Sequence, residues 1–366
     1  MSENLIYGTD ILSYGAVADG KTDCSVALSK ALENGESLIS FPFGTYLFTK
    51  SITLSSNTKL HFHANANIIF APENDNADSF IYAKDASSLE ICGGLFGIKD
   101  GTKCNAFCFK NCQNIRISNC SVNAPTGIGS IVFDSCEYAS VVNVTFNGMS
   151  DALVLTGKCL KVTFKNCTVK SAVNVIQCAK QNRLCDIDGL DIRNVSVSFC
   201  DSFIEFLCGK AENVNIENVN ARLSFSFFKL FSDFALSDAT LENIKLYIID
   251  RVSKDGKASA YFSLASTPEN LEIRNLKRLN ELESVPPAPT LLFKNTNADK
   301  AKLIIDGISL DNVINARGKS KTVSMTTAKL TNPTGKFIYT LEISVAKDDS
   351  LNIPYGDFDY LTLYCN

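Results

Sequence analysis

One short pattern recurs along this chain: apolar, any, apolar, any, then Asn or Gly. It reads Ile115-Arg116-Ile117-Ser118-Asn119, Val162-Thr163-Phe164-Lys165-Asn166, Leu190-Asp191-Ile192-Arg193-Asn194, Val214-Asn215-Ile216-Glu217-Asn218 and Leu271-Glu272-Ile273-Arg274-Asn275. Weaker copies run from Leu89 to Gly93, Val142 to Phe146 and Leu303 to Gly307. Where neighbouring copies pair, they stand roughly 20–32 residues apart, a solenoid period. Strict alternation puts Ile115 and Ile117 on one face of a strand and Arg116 and Ser118 on the other. A single coil cannot bury that apolar face. A stack of coils can, with each strand pairing to those above and below at roughly 4.8 Å. The closing Asn suits a corner, because its side chain bonds local backbone and tolerates left-handed dihedrals. Stacked at one corner, such side chains are placed to bond one another.

A second apolar stretch precedes each copy: Ala106-Phe107-Cys108-Phe109, Ile131-Val132-Phe133, Ala152-Leu153-Val154-Leu155, Val173-Asn174-Val175-Ile176, Phe203-Ile204-Glu205-Phe206 and Phe227-Phe228-Lys229-Leu230. These read as a second sheet. The segments are too short and too rich in β-branched residues for helical repeats, and the Leu and Asn spacing of a leucine-rich repeat is missing. The expected fold is therefore all-β: a right-handed parallel β-helix, one domain over residues 1–366. Residues 1–50 would form an N-terminal cap and the first strands, 51–320 the coils, and 321–366 a C-terminal β cap. Within the first part, Asp23 is placed to N-cap a helix through Val26, Ala27, Leu28, Ala31 and Leu32, closing the first coil. Near the other end, Asn332-Pro333-Thr334-Gly335 reads as a turn between two strands. Ser284 to Pro289, with three prolines, reads as a loop.

Composition narrows the partners. The formal net charge is -4 with 20% charged residues, which argues against nucleic acid bound through a basic surface. No apolar run is long enough to span a bilayer, so no membrane partner is expected. Met1 to Asp10 lacks the regions of a signal peptide. That places the chain in the cytoplasm as it stands, or outside the cell if a signal has been removed. The 14 cysteines include no CxxC pair, so neither a structural zinc nor another cofactor is expected. Several recur at matching places, with Cys112 and Cys120 flanking one copy and Cys159 and Cys167 another. They read as an internal ladder of small buried side chains, with a disulfide or redox role as the alternative.

The opening, Asp10-Ile11-Leu12-Ser13-Tyr14-Gly15-Ala16-Val17-Ala18-Asp19-Gly20-Lys21-Thr22-Asp23, resembles that of pectate lyase-like and polygalacturonase-like proteins, as does Phe41-Pro42-Phe43-Gly44-Thr45-Tyr46-Leu47. With the repeats, the resemblance covers most of the chain and implies the pectin lyase-like superfamily, nearest to polygalacturonase-like glycoside hydrolases. In that family Ser150-Asp151-Ala152-Leu153-Val154-Leu155 is similar to an Asp-Asp coil with Ser150 in place of the first Asp. The family's Asn-Thr-Asp, Gly-His-Gly and Arg-Ile-Lys motifs have no counterpart on the neighbouring coils, where Gly127 to Asp134, Ser171-Ala172-Val173-Asn174 and Ser202-Phe203-Ile204-Glu205-Phe206 stand. Only Asp151 carries over.

The residues themselves suggest a polar row. Asn174, Glu205 and Lys229 each interrupt an apolar strand, so stacking would align them, with Glu205 and Lys229 paired. Hydrolysis of a glycosidic bond needs one carboxylic acid and one carboxylate. Asp151, Glu205 and Asp201 are the candidate catalytic residues, and Asn174, Lys229 and Asp134 the candidate substrate contacts. Asp151 and Asp201 would stand roughly 10 Å apart, near the upper end for an inverting pair. Asp134, one coil before Asp151, could share Ca²⁺ with it, though a third ligand is missing. A solvent-facing row with a salt bridge accounts for Glu205 and Lys229 equally, and turns account for the aspartates. The Phe225, Phe227, Phe228, Phe231 and Phe234 cluster reads as stacked core rather than a sugar platform.

The expected function is a polygalacturonase-like hydrolase acting on a polysaccharide or oligosaccharide. Two alternatives stand beside it: a non-catalytic glycan-binding or structural β-helix, and a polysaccharide lyase or epimerase. Homo-oligomers are compatible with either.

Overall fold

Each coil of the computed structural model carries three strands rather than two. The structure describes residues 8–73, 77–179, 183–248, 262–264, 266 and 270–278, and beyond them the strands at 291–294, 302–306, 313–314, 320–321, 327–331, 340–344, 350–353 and 360–363. Two compact units, Met1–Val173 and Asn174–Asn366, make up the chain.

In the first unit the repeat motif forms one parallel sheet. Its register aligns Ile39, Leu60, Ile91, Ile117, Val141 and Phe164 in a single column. The strands after the Asn corner form a sheet not anticipated from the pattern, with the column Tyr46, Ile68, Phe96, Val122 and Phe146. The preceding apolar stretches form the third sheet, through Ile52, Ile81, Phe107, Ile131 and Leu153. All sixteen side chains are buried, at 3% exposure or less. Each such burial contributes roughly 1.5–3 kcal/mol, so the alternation seen in sequence is the force that stacks the coils. The weak copy at Val142 to Phe146 is misplaced. Val141 pairs with Ile117, Asn143 is the corner, and Thr145 and Phe146 already belong to the next sheet.

The corners are built as their residues require. Asn119, Asn143 and Asn166 take φ of 56°, 57° and 53°. Asn143 Nδ2 donates to Asn119 Oδ1 at 2.9 Å and Asn166 Nδ2 to Asn143 Oδ1 at 3.1 Å. Inside, Cys112, Cys136 and Cys159 form a buried ladder whose thiols donate to backbone carbonyls, as Cys136 Sγ does to Phe109 O at 3.3 Å. Every cysteine among the described residues is a free thiol.

The N-terminal helix, Ser25–Glu33, packs on Ile11–Tyr14 and on the strand Ile52–Leu54. Its cap position is Cys24, which makes no side-chain capping bond, one residue after the Asp23 expected there. Asp23 still serves the helix start, since its Oδ1 accepts from Ser25 N at 3.0 Å and Ser25 Oγ at 2.6 Å. Burial alone would raise the Asp23 carboxyl. The hydrogen bonds from Ser25 and Thr49 overcome that and hold it below the ordinary value. Ala27, Leu28 and Ala31 face inward, whereas Val26 is 50% exposed.

The second unit repeats the same devices. Asn194 and Asn218 share φ of 55°, and Asn218 Nδ2 donates to Asn194 Oδ1 at 3.2 Å. Leu241 pairs with Ile273 and Ile273 with Ile305, all parallel. Beyond that, Lys302–Asp306 pairs antiparallel with Thr327–Thr331, which continues antiparallel through Thr340–Ser344 to Ser350–Ile353. The expected turn at Asn332 to Gly335 lies outside the described residues, as does the stretch from Ser284 to Pro289. No helix among the described residues is long and apolar enough to cross a membrane.

Candidate functional site

Strand alternation fixes what the third sheet shows to the outside. In the first unit, Thr53, Tyr82, Cys108, Val132 and Val154 stand in register between the inward columns, and all but the buried Val154 reach the surface. The row is largely apolar and carries no charge. Burial pushes the Tyr82 phenol up and the Cys108 thiol up to about 11. Cys108 is therefore a neutral thiol at physiological pH and a poor nucleophile.

The two candidate carboxylates of the first unit, Asp134 and Asp151, sit toward the ends of this sheet rather than in its middle. Asp151 is 3% exposed and its Oδ2 accepts from Ser150 Oγ at 2.9 Å. Asp134 is 7% exposed and pairs in register with Lys110 on one side and Thr156 on the other. Its Oδ1 accepts from Ser135 Oγ at 3.3 Å. Thr156 is five positions along the strand from Asp151, so Asp134 and Asp151 are separated by roughly 16 Å at the usual rise per residue. That distance corrects the idea of a shared Ca²⁺, because ligands reach only about 2.5 Å from the ion. Among the described residues, no group of three His, Cys, Asp or Glu could hold a metal.

The second unit brings two expected residues together. Lys229 Nζ lies 2.7 Å from Glu205 Oε1, with side-chain exposures of 33% and 12%. Phe203 stacks on Phe227 at 4.6 Å and 12°, which confirms the same register. Asn174 does not join this row. It is 4% exposed and is followed by the buried Val175 and Ile176. Ser202 before Phe203 and Ile204, and Ser226 before Phe227 and Phe228, show that same run of three buried residues. The residue matching Glu205 and Lys229 is Gln177, half-buried. Strict alternation fails here because the chain turns inward for two residues in succession, Phe203 and Ile204, before it flattens. Asp201 precedes this bend, half-buried.

Phe227, Phe228 and Phe234 are core, at 1% exposure or less, as the aromatic run suggested. Phe231 is not: it is 40% exposed, two residues beyond Lys229 on the same face. Phe199 is also outside that reading, 67% exposed with φ of 57°. A bulky residue in that conformation is uncommon, and nothing in the local sequence marks it.

Residues 9–152 match the rhamnogalacturonase A/epimerase, pectate lyase-like family. No curated protein matches the sequence. Among solved structures, the ORF18 protein of Geobacillus virus E2 is similar over 98% of this chain and 76% of its own, with 11% identity and a TM-score of 0.56. An exopolygalacturonase from Thermotoga maritima is similar over 81% of this chain and 90% of its own, with 13% identity and a TM-score of 0.52. With stacked parallel strands and Asn corners, the chain is a parallel β-helix, and its residues 9–152 are similar to a pectate lyase-like family, which is a statement about its fold and not about its reaction.

Proposed function

We propose that this protein is carbohydrate-active and holds a polysaccharide or oligosaccharide against the outward face of the strands that carry Glu205 and Lys229, with that pair as the principal polar contact. The observation that carries this reading is the pair itself. A carboxylate and an ammonium lie 2.7 Å apart in an otherwise apolar strand, partly exposed, with an exposed aromatic two residues away. Sugar sites combine such apolar surface with a few placed polar groups. The exopolygalacturonase likeness and the name of the matched family support a glycan as the ligand.

The finer reading is a polygalacturonase-like glycoside hydrolase. Such a reaction needs one carboxyl group to protonate the leaving oxygen and one to activate water or attack the sugar. Within the second unit, Glu205 and Asp201 are the carboxylates this reading assigns, and Asp151, held by Ser150, is a separate candidate in the first. Lys229 fixes the Glu205 side chain, since Nζ donates to Oε1. The test is incubation with acidic and neutral polysaccharides, following reducing ends and unsaturated-product absorbance together. Reducing ends alone mean hydrolysis, and both signals mean a lyase. Turnover that survives unchanged in Asp151→Asn, Glu205→Gln and Asp201→Asn would remove these assignments. Binding without turnover would leave a glycan-binding solenoid.

A further inference from the structure

The charge balance of the Glu205–Lys229 site limits the sugar that it suits. Lys229 is neutralised by Glu205 at 2.7 Å. Lys210, five residues beyond Glu205, is likewise taken up by Asp186 at 3.5 Å. Alternation places Leu207 on the same face as Glu205, and Phe231 on the same face as Lys229. The Lys229–Glu205 register then sets Phe231 beside Leu207. Leu207 is half-buried and Phe231 40% exposed. The surface is thus a closed ion pair abutting an apolar ledge.

A polyuronate brings one carboxylate per sugar. It would need a cation whose charge is not already matched, and here each carboxylate would be desolvated beside Glu205. A neutral pyranose brings hydroxyls that both donate and accept, so one ring can bridge an ammonium and a carboxylate. It also brings a C–H face that packs on apolar and aromatic side chains.

We infer that the site takes a neutral glycan, with a ring stacked on Phe231 and Leu207 and its hydroxyls bridging Glu205 and Lys229, and that it discriminates against polyuronates. The inference rests on the reading of this row as a glycan site. Its test is calorimetric titration of the full chain with galactan-, arabinan- and glucan-derived oligosaccharides and with oligogalacturonate, in about 0.15 M salt so that long-range attraction is screened. At least one neutral oligosaccharide should bind. Phe231→Ala should weaken that binding about tenfold, equivalent to about 1.4 kcal/mol, while Phe231→Tyr keeps it. Because Phe231 is exposed, thermal melts of both variants should match the parent, which separates lost binding from lost folding. Oligogalacturonate binding that is lost in Lys229→Met and indifferent to Phe231→Ala would overturn the inference while leaving a glycan site. Neutral binding indifferent to Phe231→Ala would overturn the stacking. Binding of no oligosaccharide at all would remove the glycan reading, and this inference with it.

Discussion

Lys229 donates from Nζ to Glu205 Oε1 across a single coil step, and the two side chains keep 33% and 12% of their exposure. A pair so placed is screened less than one on an open surface, and more than one in a core. A double-mutant cycle with Glu205→Gln and Lys229→Met, read by urea denaturation, should give a coupling of about 1 kcal/mol that shrinks in high salt. Additive single effects would mean that the pair holds geometry without contributing stability.

The Asn corner makes an ordered prediction. Asn143 has φ of 57°, donates to Asn119 and accepts from Asn166. Asn143→Gly keeps the backbone comfortable and loses the ladder bonds, costing about 1 kcal/mol. Asn143→Ala loses the same bonds and adds left-handed strain, costing about 1–2 kcal/mol more. Equal stability of the two variants would show that strain plays no part at this corner.

Two glycines with φ near +80° separate strain from crowding. At Gly93 a Cβ would stand 2.0 Å from the carbonyl oxygen of Phe62, whereas at Gly35 it would meet nothing within 4 Å. Gly35→Ala should cost about 1 kcal/mol. Gly93→Ala should exceed 3 kcal/mol, because backbone of the neighbouring coil must move. Thermal or urea unfolding checks both, and similar losses would mean that the coils part easily.

Alkali should find the buried cysteines. Burial raises the thiol of Cys104 to about 11 and that of Cys167 to about 12, from an ordinary 9.0. A raised folded value means that the unfolded chain ionises first. The thiols' contribution is therefore complete below about pH 9 and is lost as pH climbs toward the folded values. Unfolding free energy should fall above pH 9, and less steeply in Cys167→Ala. Native protein at pH 8 should leave Cys167 unalkylated by iodoacetamide while denatured protein reacts fully. Rapid native labelling of Cys167 would contradict its burial.

The stack was legible because its cause is periodic. Ile115 and Ile117 are buried and Arg116 between them is exposed, while Ser118, next to the corner, is buried as well. Asn corners and buried thiols were legible for similar reasons, since a residue's own chemistry sets its place. The site was less so. The adjacency of Glu205 and Lys229 followed from the repeat, but Asn174 was misjudged because a two-residue inward bend shifts the alternation. Asp134 and Asp151 are close in sequence terms and lie at opposite ends of the third sheet, which only the register reveals. The exposure of Phe231 depends on what its neighbours leave uncovered, and no local pattern encodes that.

The unequal coil steps have an engineering consequence. Across the Asn corner the step holds constant: Ile117 pairs with Val141 and Val122 with Phe146. Beyond the next corner it shortens, as Ile131 pairs with Leu153, and it lengthens again where Val141 pairs with Phe164. From Ile91 onward the Asn corner keeps one length, since Ile91 to Phe96, Ile117 to Val122 and Val141 to Phe146 are equally spaced, although the coils before it cross the same corner with longer spans, and the other two corners take up the slack. Grafted loops should be accepted at those two corners, which flank the third sheet, and refused at the Asn corner. A scaffold of this kind can change the rim of its outward face without renumbering its core.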